Sequence, residues 1–378
     1  MVKNKERQSG IELLKIIAML AIVIYHVSQT YGIPHSSLDI APDYFIDINS
    51  ATKQISNIII IFFRYFGALG NDIFFIATAW FLLESKKCKK NKIFQMVIDV
   101  WIISIIISLL FVTLYPHKIS NVYIIKSIIP ITTATNWYIT CYVLFYIIHA
   151  GLNIIISNIN QKQHLAFDLI LIFIYGFICT LQYDLLYFNY LLQFIMIYFI
   201  IAYAKKYMEN TFSNIRNNKI ILIISSLFLI ILILSTNFLG LKISFFHDKV
   251  IRWAKGNNPL IILIAFSLFN IFRDKNFVNK TINKWSSLTL LIYILHENII
   301  FRTYLRPYIF VFIKDNFGYK YIVLWILVIS IALFLVSSLI ALIYTKTLQK
   351  ITKYIAGKFE KLYDKINDKL TDKIMKIN

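Results

Sequence analysis

The sequence predicts an all-α integral membrane protein with about ten transmembrane helices and both the N- and C-termini in the cytoplasm. Three observations predict it. Of 378 residues, 58% are hydrophobic and only 15% charged, whereas a soluble domain carries about 25% charge. The apolar residues arrive in long blocks such as Ile11–Tyr31, Ile93–Tyr115 and Ile220–Leu239. Each is about the 20 residues that cross a bilayer as a helix, which satisfies its own backbone groups in lipid. Finally, lysine and arginine concentrate in alternate connecting segments, as the positive-inside rule requires.

In chain order the spans fall at 11–31, 58–83, 93–115, 137–157, 165–182, 187–204, 220–240, 258–272, 285–305 and 320–344. With the N-terminus inside, the inside segments hold 26 basic residues and the outside segments 10. Without the C-terminal tail the inside still leads, 17 to 10. The net charge of +20 therefore reports topology, not nucleic-acid binding. The basic start Met1–Arg7 precedes an apolar run with no small-residue cleavage site, which reads as a retained first helix. Cys88, Cys141 and Cys179 show neither ligand nor disulfide spacing and read as unpaired thiols.

Two units follow: a membrane domain over 1–345 and a basic amphipathic cytoplasmic tail over 346–378. In the tail, Leu348, Ile351, Ile355, Phe359, Leu362, Ile366, Leu370 and Ile374 recur every three or four residues, with lysines on the other face. Such a helix lies on an anionic leaflet or zips onto a partner.

Polar residues at membrane depth are expensive and point to sites. The first helix carries Glu12, Lys15 and His26. Lys15 and His26 are eleven residues apart, three turns, so they share a face. His26 lies about 22 Å in from Ile11, toward the outer leaflet. The second helix reads Arg64-Tyr-Phe-Gly67-Ala-Leu-Gly70-Asn-Asp72; its glycines let backbones approach, and Asp72 calls for a Lys or Arg partner. The following loop, with Lys86, Lys87, Lys89, Lys90 and Lys92, is a cationic patch that serves topology or holds donor phosphates. Asn136-Trp137-Tyr138 opens the fourth helix as an outer aromatic belt, and His149 near its other end packs or snorkels. The ninth helix runs from Trp285 to His296-Glu297-Asn298, placing His296 at a depth similar to His26. A lone histidine in a span often only packs; two at one depth in separate helices raise the prospect of catalysis.

Together these segments resemble the type-three membrane acyltransferase family, the O-acyltransferases of bacterial surface polysaccharides and related glycans. Gly10–His26, with a basic residue eleven positions before the histidine, looks like the family's opening pattern. Gly67–Leu83, Asn136-Trp137-Tyr138 and Ser286–His296 look like its glycine-rich second helix, its tryptophan-aromatic element and its late serine-to-histidine helix. The resemblance covers residues 10–345. Lys15 stands where the family usually has arginine, which keeps the charge but loses the forked geometry. Ala77-Thr78-Ala79 replaces a usual serine-glycine. An appended hydrolase-like domain is not expected.

The resemblance implies transfer of an acyl group, acetyl first, from cytoplasmic acyl-CoA to a hydroxyl of an extracytoplasmic polysaccharide or lipid-linked glycan. The protein would then be a multi-pass protein of a bacterial plasma membrane. His26 would act as base or acyl acceptor with His296 beside it as the second catalytic residue. Lys15, Lys86 and Lys87 would meet the donor, and Arg64, Asp72, Trp137 and Tyr138 complete the substrate-binding set. The partners are acyl-CoA, the glycan and membrane lipids; neither a bound cofactor, a metal nor nucleic acid is expected. No Gly-x-Ser-x-Gly elbow, zinc spacing or nucleotide loop appears. A glycan transporter or flippase is the alternative, although an inverted repeat is lacking. A glycosyltransferase using Asp39, Asp43 and Asp47 is a third reading.

Overall fold

The computed structural model describes residues 7–32, 54–85, 89–115, 119–181, 189–246, 249–317 and 321–375. The tail beyond 375, the acids Asp39, Asp43 and Asp47, the patch lysines Lys86 and Lys87, and Cys88 lie outside the described residues. The described residues are helical, with no strand. In order they form α1 (Ser9–Gly32), α2 (Gln54–Leu82), α3 (Lys90–Leu114), α4 (Asn121–Ile128), α5 (Trp137–Asn158) and α6 (Gln161–Leu171). A π-helical stretch, Ile172–Ile178, leads into α7 (Cys179–Leu181). Then come α8 (Tyr190–Tyr207), α9 (Glu209–Ser213), α10 (Ile215–Lys242), α11 (Pro259–Arg273), α12 (Lys280–Ser286) and α13 (Thr289–His296). The chain closes with α14 (Arg306–Phe317), α15 (Ile322–Lys346) and α16 (Gln349–Met375).

Among the described residues, eight helical stretches are long and apolar enough to cross a membrane. The two remaining expected spans differ. The 187–204 expectation is the 18-residue α8, ending in Lys205 and Lys206. The 285–305 expectation is broken. The helix stops at Glu297, and Asn298 restarts it by accepting the Ile300 N–H on Oδ1 at 3.0 Å. A π-helical turn, Phe301–Leu305, follows before α14. Consecutive polar side chains at 296–298 make continued helix in lipid costly, and the break turns them inward, where all three are buried.

Outward faces are apolar: Leu109, Ile154, Ile224 and Leu339 are each at least 60% exposed. A surface of this kind belongs against lipid tails. Inside, α1 is central. Its start is stitched to α12 and the residue that caps it: Asn279 N–H donates to Ser9 Oγ at 2.7 Å and Ser9 Oγ donates to Asn283 Oδ1 at 2.8 Å. Against α2 it packs at glycine distance. A Cβ on Gly67 would lie 2.3 Å from the Tyr25 ring, and one on Gly70 would lie 2.7 Å from the Ala18 carbonyl oxygen. On the other flank of α2, Phe75, Phe145 and Phe194 interlock, with Phe75 and Phe194 stacked at 3.9 Å. Cys141 and Cys179 are free thiols. His149 is fully buried, and its ring Nδ1 donates to the Tyr146 carbonyl at 2.6 Å, so it packs.

Candidate active site

The break after α13 assembles a charged cluster around the inner face of α1. His26 Nδ1 lies 3.0 Å from His296 Nε2 and 3.4 Å from Glu297 Oε1. Glu297 is held from the other side by Arg306, whose guanidinium reaches Oε1 at 2.7 Å, and by Arg302, which reaches Oε2 at 3.1 Å. Arg306 also donates to the His26 carbonyl at 3.1 Å and to the His296 carbonyl. His26, His296, Glu297 and Arg306 are all buried. The arginines neutralise a carboxylate that alone would be prohibitively costly at this depth.

The wiring assigns tautomers. His296 Nδ1 sits 2.7 Å from the Ile292 carbonyl, which can only accept, so Nδ1 carries the proton and Nε2 accepts. His26 Nδ1 must then donate to it, which puts the His26 lone pair on Nε2. That nitrogen is the basic atom of the pair, and Glu297 stands ready to balance an imidazolium on His26. His26, His296 and Glu297 offer ligand atoms within 4.8 Å of one another. However, two guanidiniums on the same carboxylate oppose a divalent cation there.

Beside the cluster lies a cavity of about 930 Å³. One end is formed where α1 and α3 begin and α11 ends, and it carries Arg7, Lys15, Lys92 and Arg273. The other end is apolar and aromatic, with Ile22, Phe74, Tyr138 and Tyr293. The Tyr293 ring centroid is 6.4 Å from that of His26, so the cavity ends one aromatic ring from the histidine pair. Lys15 is ion-paired to Glu12 at 2.8 Å. Arg273 stacks over Trp80 at 4.2 Å.

Of the residues singled out from sequence, the structure thus brings His26 and His296 together and puts Lys15 and Tyr138 in the cavity wall. Arg64, half-buried on α2, is not in that wall. Trp137 stacks on Tyr190 at 4.1 Å, also away from it. The expected Lys or Arg partner of Asp72 is not found among the described residues. Instead, the Gln193 amide donates to its Oδ1 at 2.9 Å, across Gly256, where a Cβ would stand 2.3 Å from the Gln193 nitrogen. Sequence reading missed Glu297, Arg302 and Arg306 as a unit and counted Arg306 among external loop charges. It is instead 3% exposed. The signal was the His296-Glu297-Asn298 run inside an expected span.

An apolar helical bundle that holds a buried histidine pair beside a cavity with a cationic end fits a membrane-embedded enzyme of group transfer. The chain belongs to the acyltransferase 3 family, whose acyltransferase domain matches residues 8–344. It is a membrane acyltransferase. No curated protein matches the chain, and no solved structure does.

Proposed function

We propose that the protein moves an acyl group, acetyl first, from a cytoplasmic acyl-CoA to a hydroxyl of an extracytoplasmic polysaccharide or lipid-linked glycan. It would do so across a bacterial plasma membrane, with both termini inside. The observation that carries the reading is the polarity of the cavity: four cations at one end and the histidine pair beyond the other. The cationic end lies where α1 and α3 begin and α11 ends, beside the segments whose basic residues read as inside. It suits the phosphates of the donor, with the thioester threaded along the apolar wall.

Chemically, the acceptor hydroxyl oxygen attacks the thioester carbonyl carbon while its proton passes to His26 Nε2. The carbon–sulfur bond breaks, and the thiolate takes up the proton that His26 gained and leaves through the cavity as the thiol, which returns His26 to its neutral form. His296 holds the His26 ring by its Nδ1–H, and Glu297 offsets the positive charge that develops there. An acyl-imidazole route would use the same Nε2 lone pair.

The test is transfer of label from acetyl-CoA to glycan in membranes carrying the parent or His26→Gln at matched abundance. Label in glycan that disappears with His26→Gln is expected. Equal labelling by the two would overturn the catalytic assignment, and a parent that moves unlabelled glycan without acylating it would favour transport. Reporter fusions at 210 and 345 should read cytoplasmic and one at 125 external; the reverse would put the cationic end on the wrong side.

A further inference from the structure

The C-terminal helix α16 has three working faces, and among the described residues only one meets the rest of the protein. Thr352 and Ala356, both 0% exposed, lie against α3. Along the same side Asn91 donates to Glu360 at 2.9 Å, Lys90 pairs with Asp364 at 2.6 Å, and Phe94 stacks near Phe359. Roughly a quarter turn away runs the apolar stripe; Phe359 at its edge turns to α3 and Ile355 is half-buried, but among the described residues the rest stays uncovered although the helix is docked: Ile351 is 54%, Leu362 53% and Ile366 50% exposed. The third side carries Lys350, Lys358, Lys361 and Lys365, all exposed. The helix begins three residues after α15, a membrane span ending at Lys346, so it starts at the bilayer surface. An apolar stripe flanked by lysines at that level is complementary to an anionic phospholipid leaflet.

The docked face also reaches the cavity. Asp99 Oδ1 on α3 accepts from Thr352 Oγ1 at 2.8 Å, from Tyr344 at 2.6 Å and from Gln95 at 2.9 Å. Gln95, Asp99 and Gln349, the first residue of α16, line the cavity near its cationic end. A shift of α16 therefore moves the wall of that cavity directly.

We propose that α16 is a lipid-seated wall of the cavity: its stripe and lysines bind the surface of anionic phospholipid, and the seated helix, through Thr352 and Asp99, completes the donor end. The second half rests on the donor reading above; the first does not.

The full chain, with Cys88→Ser, Cys141→Ala and Cys179→Ala, would be reconstituted in liposomes of phosphatidylcholine alone or with phosphatidylglycerol. An environment-sensitive fluorophore would be placed at Leu362→Cys or, as a control outside both the stripe and the lysines, at the exposed Asp368→Cys. The label at 362 should be quenched by spin-labelled lipid in the anionic liposomes and far less in phosphatidylcholine, and the label at 368 in neither. Binding of coenzyme A itself should tighten about 5-fold or more with anionic lipid. Thr352→Val should keep the quenching at 362 and lose that lipid dependence. Equal quenching at 362 in the two lipids, or none, overturns anionic seating. Protection of 362 in lipid-free detergent that grows with protein concentration assigns the stripe to a second copy and also overturns it. Quenching with no change in coenzyme A affinity overturns the coupling. If the parent binds coenzyme A in neither lipid, the donor reading fails while the quenching still decides the helix.

Discussion

Two buried carboxylates, Glu297 and Asp99, sit in the same bundle and are held in opposite ways. Glu297 faces two guanidiniums, at 2.7 and 3.1 Å, and a histidine at 3.4 Å. Asp99 takes three donors that carry no charge, from Gln95, Tyr344 and Thr352, all on one oxygen. The first arrangement stabilises ionic charge and sits against a group that gains a proton during the proposed transfer. The second has no histidine, lysine or arginine paired with it among the described residues and ties three helices, α3, α15 and α16, at one point. Burial alone does not mark a reaction centre; the kind of partner does. Asp72 makes the same point, since its amide partner groups it with Asp99.

Substitutions can break or sharpen this contrast. His26→Gln should cost the largest factor, about 10²–10⁴-fold in transfer rate, with membrane abundance and melting temperature near those of the parent. His296→Gln should lose less rate, because its role is to hold the partner ring; equal losses would make the two histidines chemically equivalent. Glu297→Gln removes the counter-charge from buried Arg306, and breaking a buried pair costs about 3–5 kcal/mol. Thermal unfolding in detergent should show a marked drop, and an unchanged melting curve would mean the guanidiniums find another anion. At Asp99 the two available changes should separate. Asp99→Asn keeps an oxygen acceptor and should shift stability by about 1 kcal/mol or less, whereas Asp99→Leu strands the donors and should cost about 1–3 kcal/mol. If Asp99→Asn proves as damaging as Glu297→Gln, the neutral-tether description is wrong. Lys15→Ala should give the smallest effect: a higher KM for the donor with kcat little changed, restored by Lys15→Arg. An unaltered KM would leave Lys15 as a partner of Glu12 alone.

Much of the centre was readable in the chain. The eleven-residue interval from Lys15 to His26 and the glycines at 67 and 70 are local patterns, and helical geometry turns them into shared faces and close approach. The recurrence of His296 at similar depth identified the second ring. What escaped was non-local or depended on a break. Reading 285–305 as one span hid the turn that swings Glu297, Arg302 and Arg306 together, although three polar residues in succession were its cue. Gln193 lies 121 positions from Asp72, and no periodicity links them. For α16 the apolar spacing was plain, but periodicity says which residues share a face, never which face meets α3. The packing face is a less apolar one.

The glycine contacts between α1 and α2 carry a metrical consequence. With Tyr25 and Ala18 packed against Gly67 and Gly70, a Cβ at either glycine would have to push α1 and α2 apart, and a helix does not stretch. The rise from Lys15 to His26 is then a rigid gauge of about 16 Å. On the proposed assignment it measures the donor: a molecule whose anionic group and reactive carbonyl cannot stretch that far apart touches one mark or the other but never both. Discrimination by length would thus be built into a single helix. Gly70→Ala, by wedging the two helices apart, should blunt the selection between long and short donors before it abolishes turnover.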